Sequence, residues 1–520
     1  MDCHFIAIIA GRMNFESLLD GAEFLSRSGG APDISGVDYD SRRIGKGFVF
    51  IAMKGESTDG NRYIDQAIER GAVAVVTDSA AEQPRPGVAW VQVPQGRRAL
   101  ARLSANFYKR PAEKLCITGV TGTNGKTTTT FILESVLTAA GRKSALVGTV
   151  EYHVAGEVLP APHTTPEALE LNQMFARALG KGATEAVMEV SSHALAQERV
   201  YGIPFDVAVF SNLTRDHLDF HGTFEDYYGA KRLLFEGCGA EPPRVAVLNA
   251  DDEYGRQLTK FSARHGSEIY TYGVEAGNVH TRDLQMGPSG NRFTLVTQVG
   301  EVEMFSPLIG RVNVYNVLAA AAAGIARGVS LGQVAQGIEA MKRVPGRFES
   351  VYQGQPFSVV VDYAHTDDAL NNLTRLAREF VTREGASGKV ITLFGCGGDR
   401  DKTKRPLMGE AAGNGSDFVV VTSDNPRSED ALAIINDSLP GVQKSGVRYS
   451  VEPDRRKAIA LALGEAKPGD MVLIAGKGHE KTQTTREGVF PFDDFEVARE
   501  ELTKLGFRGG KTASPDRSTR

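Results

Sequence analysis

Short apolar runs recur along most of the chain, separated by glycine-rich turns and amphipathic stretches. Leu100, Leu103 and Phe107 fall at helical spacing, so a helix is predicted over Arg97–Tyr108, stopped by Pro111. From Leu115 the pattern changes, and strands are predicted over Leu115–Val120, Ser144–Val150, Ala186–Val190, Val207–Phe210 and Val245–Leu248. The alanine-rich Val317–Arg327 reads as a packed helix, and Val344-Pro345-Gly346 punctuates the chain after it. The rhythm then resumes with Val359–Asp362, Val390–Phe394, Phe418–Thr422 and Met471–Ala475. Strands alternating with helices predict an α/β fold with mostly parallel sheets and helices on both faces. The punctuation divides the chain into an N-terminal α/β domain over 1–110, a central domain over 111–343 and a C-terminal α/β domain over 344–520. The tail from Gly509, which holds almost nothing apolar, is expected to be disordered.

Composition narrows the function classes. At roughly 100 to 200 residues per domain, 520 residues allow three or four domains. Lys and Arg number 59 against 64 Asp and Glu, a net charge of −5, which argues against a nucleic-acid binder. No apolar run approaches the roughly 20 residues needed to cross a bilayer, so no membrane insertion is expected. Cys3, Cys116, Cys238 and Cys396 are far apart and form no Cys-x-x-Cys pair, which argues against a disulfide framework or zinc site. The apolar stretch Phe5–Ala10 is too short for a signal-peptide core and only His4 stands where a signal would carry Lys or Arg, so a cytoplasmic location is expected. Met13 opens Met-Asn-Phe-Glu-Ser-Leu-Leu, a better helix beginning than Met1, and the first twelve residues read as a dispensable extension. The 57 glycines exceed the usual share of about 7%, with no repeat to explain them, and point to tight turns and ligand loops.

The most informative segment is Ile117-Thr-Gly-Val-Thr-Gly-Thr-Asn-Gly-Lys126-Thr127, followed by the helical run Phe131–Ala140. Strand, glycine loop, Lys-Thr and helix is the order a nucleoside triphosphate needs. Gly122 and Gly125 let backbone amides turn toward phosphates, Lys126 neutralises β/γ oxygens, and the Thr127 hydroxyl can reach Mg²⁺. Val120 stands where the strict loop spacing of ordinary GTPases and ATPases places glycine. Glu189, in Met188-Glu-Val-Ser-Ser-His, ends an apolar strand, where it suits a magnesium ligand or a solvated strand end equally. His217, in Arg-Asp-His217-Leu-Asp, is open to a metal, a phosphate or a packing role.

Gly-Thr-Asn-Gly-Lys126-Thr, Met-Glu189-Val-Ser-Ser-His, Arg-Asp-His217-Leu-Asp, Asn313-Val-Tyr-Asn316, Gly346-Arg347-Phe-Glu and Asp362-Tyr-Ala-His365 occur in this order. Together they resemble the Mur ligase family, ATP-dependent amide-forming enzymes of peptidoglycan precursor synthesis, themselves similar to folylpolyglutamate synthase. The match runs from about Asp40 to Gln483. The resemblance implies a central P-loop-type ATP domain and a Rossmann-like C-terminal domain that closes over the nucleotide. It assigns Gly119, Thr121, Gly122, Thr123, Asn124, Gly125, Lys126, Thr127 and Thr128 to ATP, with Asn316, Arg347 and Asp362 holding adenine, phosphate and ribose. It gives catalytic roles to Lys126, Glu189, His217 and Lys231, and a Mg²⁺ shell of Thr127, Glu189, His217 and a carbamylated Lys231. By its own sequence context Lys231 reads as a surface helix residue.

Within the family, the step most similar adds an amino acid to UDP-N-acetylmuramoyl-L-alanyl-D-glutamate through an acyl phosphate. Ser41, Glu56, Ser57 and Thr58 would face the UDP part, and Thr164, Thr165, Ser191, Gln197 and Arg199 the muramoyl peptide. Arg400, Asp424, Asn425, Pro426, Arg427, Gly476 and Glu480 mark the amino-acid end. Each lies after an apolar strand of the last domain, so these loops are expected to meet at one sheet edge. meso-Diaminopimelate is lysine with one more carboxylate, which the Arg427 guanidinium can grip in bidentate fashion while Glu480 takes the ammonium. L-Lysine as substrate, or a folylpolyglutamate synthase-like ligase, remains the alternative; a nucleotide switch protein would carry Asn-Lys-x-Asp, which is absent. A monomer acting on these small molecules is expected.

Overall fold

The structure, a computed structural model, describes residues 12–55, 58–287, 289–383 and 387–509. Glu56 and Ser57, the residues before Arg12 and the tail beyond Gly509 lie outside the described residues. Among the described residues the chain forms three large sheets, of five, eleven and six strands.

The middle sheet is the framework. Its strand Cys116–Thr121 pairs in parallel with Glu185–Glu189 on one side and Val207–Phe210 on the other. Parallel strands continue outward through Ser144–Val147 on one flank and Val245–Asn249 and Glu268–Gly273 on the other. Every residue of Glu185–Glu189, Val207–Phe210 and Val245–Asn249 is buried, as expected of strands covered by helices on both faces. One face packs against Ala168–Gly180 and Phe224–Glu236, the other against Lys126–Ala139 and Arg311–Ala326. Ala319 to Ala323 are fully buried; their small side chains let this helix lie close to its neighbours.

The predicted strands all form, shifted by at most a few residues, but the sheet edges went unpredicted. An antiparallel hairpin, Glu151–Val154 with Glu157–Pro160, closes one edge, and an antiparallel meander, Val279–Gly287, Gly290–Thr297 and Gly300–Ser306, closes the other. Edge strands face water on one side, so their apolar residues are interleaved with charged ones and lack the continuous apolar run of the centre. The predicted Ser144–Val150 strand stops at Val147 because Gly148 and Thr149 turn aside to meet Glu189. The predicted Val317–Arg327 helix begins earlier, at Arg311; its first turns mix Arg, Asn and Tyr with Val and so lie outside the continuous apolar run.

In the C-terminal sheet four adjacent parallel strands, Ser358–Asp362, Met471–Ala475, Val390–Phe394 and Phe418–Val421, send their following loops to the same edge. Arg455 braces two of these loops from below: it donates to Ser423 O (3.2 Å) and Ala475 O (3.0 Å). Its charge is met by Asp494, bonded at 2.8 and 2.7 Å, and both side chains are fully buried. No described helix is long and apolar enough to cross a membrane.

Removing one partner of such a pair leaves a charge stranded in a dry site. Asp494→Ala should therefore cost about 3–5 kcal/mol, read as a lower urea midpoint by circular dichroism; an unchanged midpoint would contradict the bracing role.

Candidate active site

Three loops of the middle sheet meet beyond the ends of adjacent strands: the phosphate loop after Thr121, the turn after Glu189 and the segment Ser211–His217 after Phe210. Gly122 (φ 145°) and Gly125 (φ 90°) are required there. A Cβ at Gly122 would lie 1.9 Å from Ser211 Oγ, and one at Gly125 2.3 Å from Asn316 Oδ1. Asn212 locks the loop, its carbonyl accepting from Thr123 N (2.8 Å) and its Oδ1 from Asn124 N (2.9 Å). Thr128 is buried in the first turn of the following helix. Gly119 lies within the strand, where the Phe205 ring fills the space a side chain would take; it and Thr121 support the loop from beneath.

Two cations converge on one carbonyl. Lys126 Nζ donates to Gly122 O (2.9 Å) and Thr123 O (2.8 Å), and Lys231 Nζ donates to the same Gly122 O (2.8 Å). Lys231 is 1% exposed and lies over the Tyr227 ring, at 4.4 Å. The surface-residue expectation is thus corrected: the helix Phe224–Glu236, capped by Thr223, turns this face under the phosphate loop. Burial, and then the neighbouring Lys126 charge, push the Lys231 amine well below its usual range. Burial also lowers Lys126.

Glu189 is fully buried and accepts from Thr127 Oγ1 (3.1 Å), Thr149 N (2.7 Å) and Thr149 Oγ1 (3.0 Å). Arg347 reaches across from the C-terminal unit and donates to Thr127 Oγ1 (3.0 Å). Burial drives His217 down to about 3, so its imidazole is neutral at ordinary pH. It lies 3.2 Å from the buried carboxylate of Asp216. Burial raises Asp216, but the ring nitrogens of His217 and His365 and the ammonium groups of Lys404 and Lys126 outweigh it and hold the carboxyl below its usual range. Asn124 Nδ2 donates to Asp368 (2.8 Å), and Arg215 to Thr403 Oγ1 (2.8 Å), so the middle and C-terminal units meet across the site. Asp362 accepts from Phe348 N (2.7 Å) and Ala364 N (2.8 Å), which pins the Arg347 loop.

Thr165, Ser191 and Arg199 gather behind Glu189: Thr165 Oγ1 donates to Glu189 O (2.8 Å) and Arg199 to Thr165 O (3.0 Å), while Ser191 caps the next helix. Thr164 faces Thr149, with 3.1 Å between hydroxyls. Gln197 lines a cleft of about 830 Å³ between the N-terminal and middle units, together with Asp59, Asn61, Asp78 and Arg97. Ser41 does not line it; its hydroxyl is buried and donates to Gln66 (2.7 Å). Thr58 lies 3.5 Å from the Tyr63 hydroxyl.

The amino-acid loops do meet. Gly398 N donates to Asn425 O (2.9 Å), Arg427 to Gly398 O (2.6 Å), and a Cβ at Gly476 would stand 2.7 Å from Asp424. Arg427 follows Pro426 in a left-handed conformation (φ 54°), and Asn425 Nδ2 donates to Glu480 (2.7 Å). Burial and the nearby Arg400 charge lower the Arg427 guanidinium, leaving it poorly compensated and suited to a carboxylate. Asp216, His365, Thr149, Asp368 and Lys404 escaped the sequence assignments. The first two stand inside the motifs quoted for His217 and Asp362; the others reach the site only through folding.

Comparison with known proteins matches residues 33–108 to the Mur ligase family catalytic domain, 120–324 to the Mur ligase middle domain and 346–478 to the Mur ligase glutamate ligase domain. The chain is 52% identical over 476 residues to a UDP-N-acetylmuramoyl-L-alanyl-D-glutamate–2,6-diaminopimelate ligase of Solibacter usitatus (strain Ellin6076), covering 91% of this chain and 94% of that one. It is 47% identical to a protein of the same name from Geobacillus thermodenitrificans (strain NG80-2), covering 92% and 96%. A solved structure of a ligase so named superposes with TM-score 0.66 at 33% identity, covering 95% of this chain and 100% of that one. With three domain matches in order and relatives similar over nearly its whole length, the chain belongs to the Mur ligase family.

Proposed function

We propose that this chain is an ATP-dependent ligase that adds meso-diaminopimelate to the D-glutamyl carboxylate of UDP-N-acetylmuramoyl-L-alanyl-D-glutamate, a step of peptidoglycan precursor synthesis, acting as a cytoplasmic monomer. The observation that carries this is a cation-rich phosphate loop joined, through Arg347 on Thr127 and Asn124 on Asp368, to a C-terminal unit whose own loops gather Arg427, Asn425 and Glu480. The names of its relatives support the same reaction.

A carboxylate is a poor electrophile, so the γ-phosphoryl group of ATP passes first to the D-glutamyl carboxylate, making an acyl phosphate. A neutral amine of the amino acid then attacks, and phosphate leaves from the tetrahedral intermediate. Lys126 turns from the Gly122 and Thr123 carbonyls to the phosphoryl oxygens, and Arg347 adds a second positive charge from the C-terminal unit. Asn316, behind Gly125, and Asp362, behind Arg347, hold the nucleoside. The protein works by positioning and charge stabilisation, with no covalent nucleophile. Thr164, Thr165, Ser191, Gln197 and Arg199 hold the muramoyl peptide near Glu189, with Thr58 and the cleft of Asn61 and Arg97 toward the nucleotide sugar. Arg427, Arg400, Asp424, Asn425, Gly476 and Glu480 hold the amino acid.

The buried Glu189 carboxylate with the Thr127 and Thr149 hydroxyls is a set of hard oxygen donors, and His217 is neutral, which fits Mg²⁺. Thr127, Glu189, His217 and a carbamylated Lys231 would hold it, and the ion would offset the negative charge of the phosphates. Burial and Lys126 favour the neutral Lys231 amine, the form that can attack carbon dioxide: an N–C bond forms, a proton leaves, and an anionic carbamate takes the place of the amine beside the Lys126 ammonium.

Phosphate release should require ATP, the UDP-muramoyl dipeptide and meso-diaminopimelate together; release as fast without the amino acid refutes the ligase assignment. Arg427→Ala should lower kcat/KM for meso-diaminopimelate by about tenfold to a hundredfold while sparing L-lysine, and equal losses would exclude carboxylate recognition by Arg427. With ¹³C-bicarbonate a carbamate resonance should appear that Lys231→Ala abolishes along with most of kcat; a fully active Lys231→Ala enzyme would remove Lys231 from the site.

A further inference from the structure

Lys477, in the loop after Met471–Ala475, is a charged residue with no exposed surface. It sits between Gly476 (φ 114°) and Gly478 (φ 53°), and that backbone turns its side chain inward. Its Nζ donates to Glu480 Oε2 (2.9 Å) and to Asn425 Oδ1 (3.0 Å). Asn425 Oδ1 also accepts from Thr484 N (2.9 Å), and Asn425 Nδ2 donates to the same Glu480 Oε2 (2.7 Å). An ammonium and a backbone N–H can only donate, so together they fix which end of the Asn425 amide is oxygen. Thr484 in turn accepts from Arg427 N (3.0 Å), so the loop carrying Arg427 hangs on the same cluster.

We propose that Lys477 is a positioning residue for amino-acid recognition. By occupying Glu480 Oε2 and Asn425 Oδ1, it leaves Glu480 Oε1 and the second Asn425 amide hydrogen to face the incoming amino acid, one acceptor for its ammonium and one donor for its carboxylate. A glutamate held this way is a directed acceptor whose charge is already compensated, so the half-exposed carboxylate neither swings into solvent nor captures the neighbouring Arg427. Lys477 touches no reacting atom in this account; it acts through Glu480 and Asn425. The proposal rests on the ligase reaction above.

Steady-state kinetics with all three substrates test it. In Lys477→Met, KM for meso-diaminopimelate should rise about tenfold or more, with a smaller fall in kcat and unchanged KM for ATP and for the dipeptide; Lys477→Arg should recover part of the loss. If Lys477→Met does not accumulate as folded protein, Lys477→Gln takes its place with the same expectation. In a Glu480→Gln background the Lys477 substitution should add little, because both act through one carboxylate. A fall in kcat with the amino-acid KM unchanged, or penalties that add in full, would overturn the positioning role. Wild-type enzyme that turns over no amino acid would overturn the ligase assignment and this proposal together, whereas an active wild type with an unaffected Lys477→Met variant overturns this proposal alone.

Discussion

The active site is organised around two lysines at one backbone carbonyl. Lys231, buried, and Lys126, partly buried, both donate to Gly122 O, and desolvation lowers both amines. Two ammonium groups so close repel each other, which favours the neutral form of the more buried one, Lys231, and makes this a place that suits an anion. Tight loop packing maintains the arrangement. Asn212 holds the loop amides, and Ser211 and Asn316 fill the space beside Gly122 and Gly125.

The same constraint sets what surrounds the site. Glu189, fully buried one strand away, is held in place by three hydrogen bonds, and its carboxylate partly offsets the desolvation of Lys126. Asp216 stays ionised although burial opposes it, because His365 and Lys404 approach it from the C-terminal unit as Lys126 does from the middle one. Arg347, Asp368 and Thr403 cross the same seam. Charge and hydrogen bonds thus join the two units beside the glycine loop.

In the C-terminal unit, buried cations order loops. Arg455 binds carbonyls at the roots of two of them and is neutralised by Asp494; Lys477 binds the side chains at their tips. Arg405, 1% exposed, joins Gly397 O to Glu429 and so ties the Arg400 loop to the Arg427 loop. Loops from adjacent parallel strands are brought to one edge by topology, but their side chains take a defined direction only because such internal donors satisfy their carbonyls and carboxylates.

The strands that became the sheet centres were legible because a strand buried on both faces must be continuously apolar, and the phosphate loop because glycine, lysine and threonine have to stand at fixed spacings between strand and helix. The order of motifs likewise carried the family. The edge hairpins and meander were hidden by their alternating polarity, and Thr149 and Asp368 lie in no motif, since what brings them to Glu189 and Asn124 is packing between distant segments. Lys231 shows the division most clearly. Local sequence determined that it is a lysine on an amphipathic helix and nothing more; whether that helix face meets water or the underside of the phosphate loop was decided by how Phe224–Glu236 docks on the sheet, and burial beside Lys126 then lowered its amine.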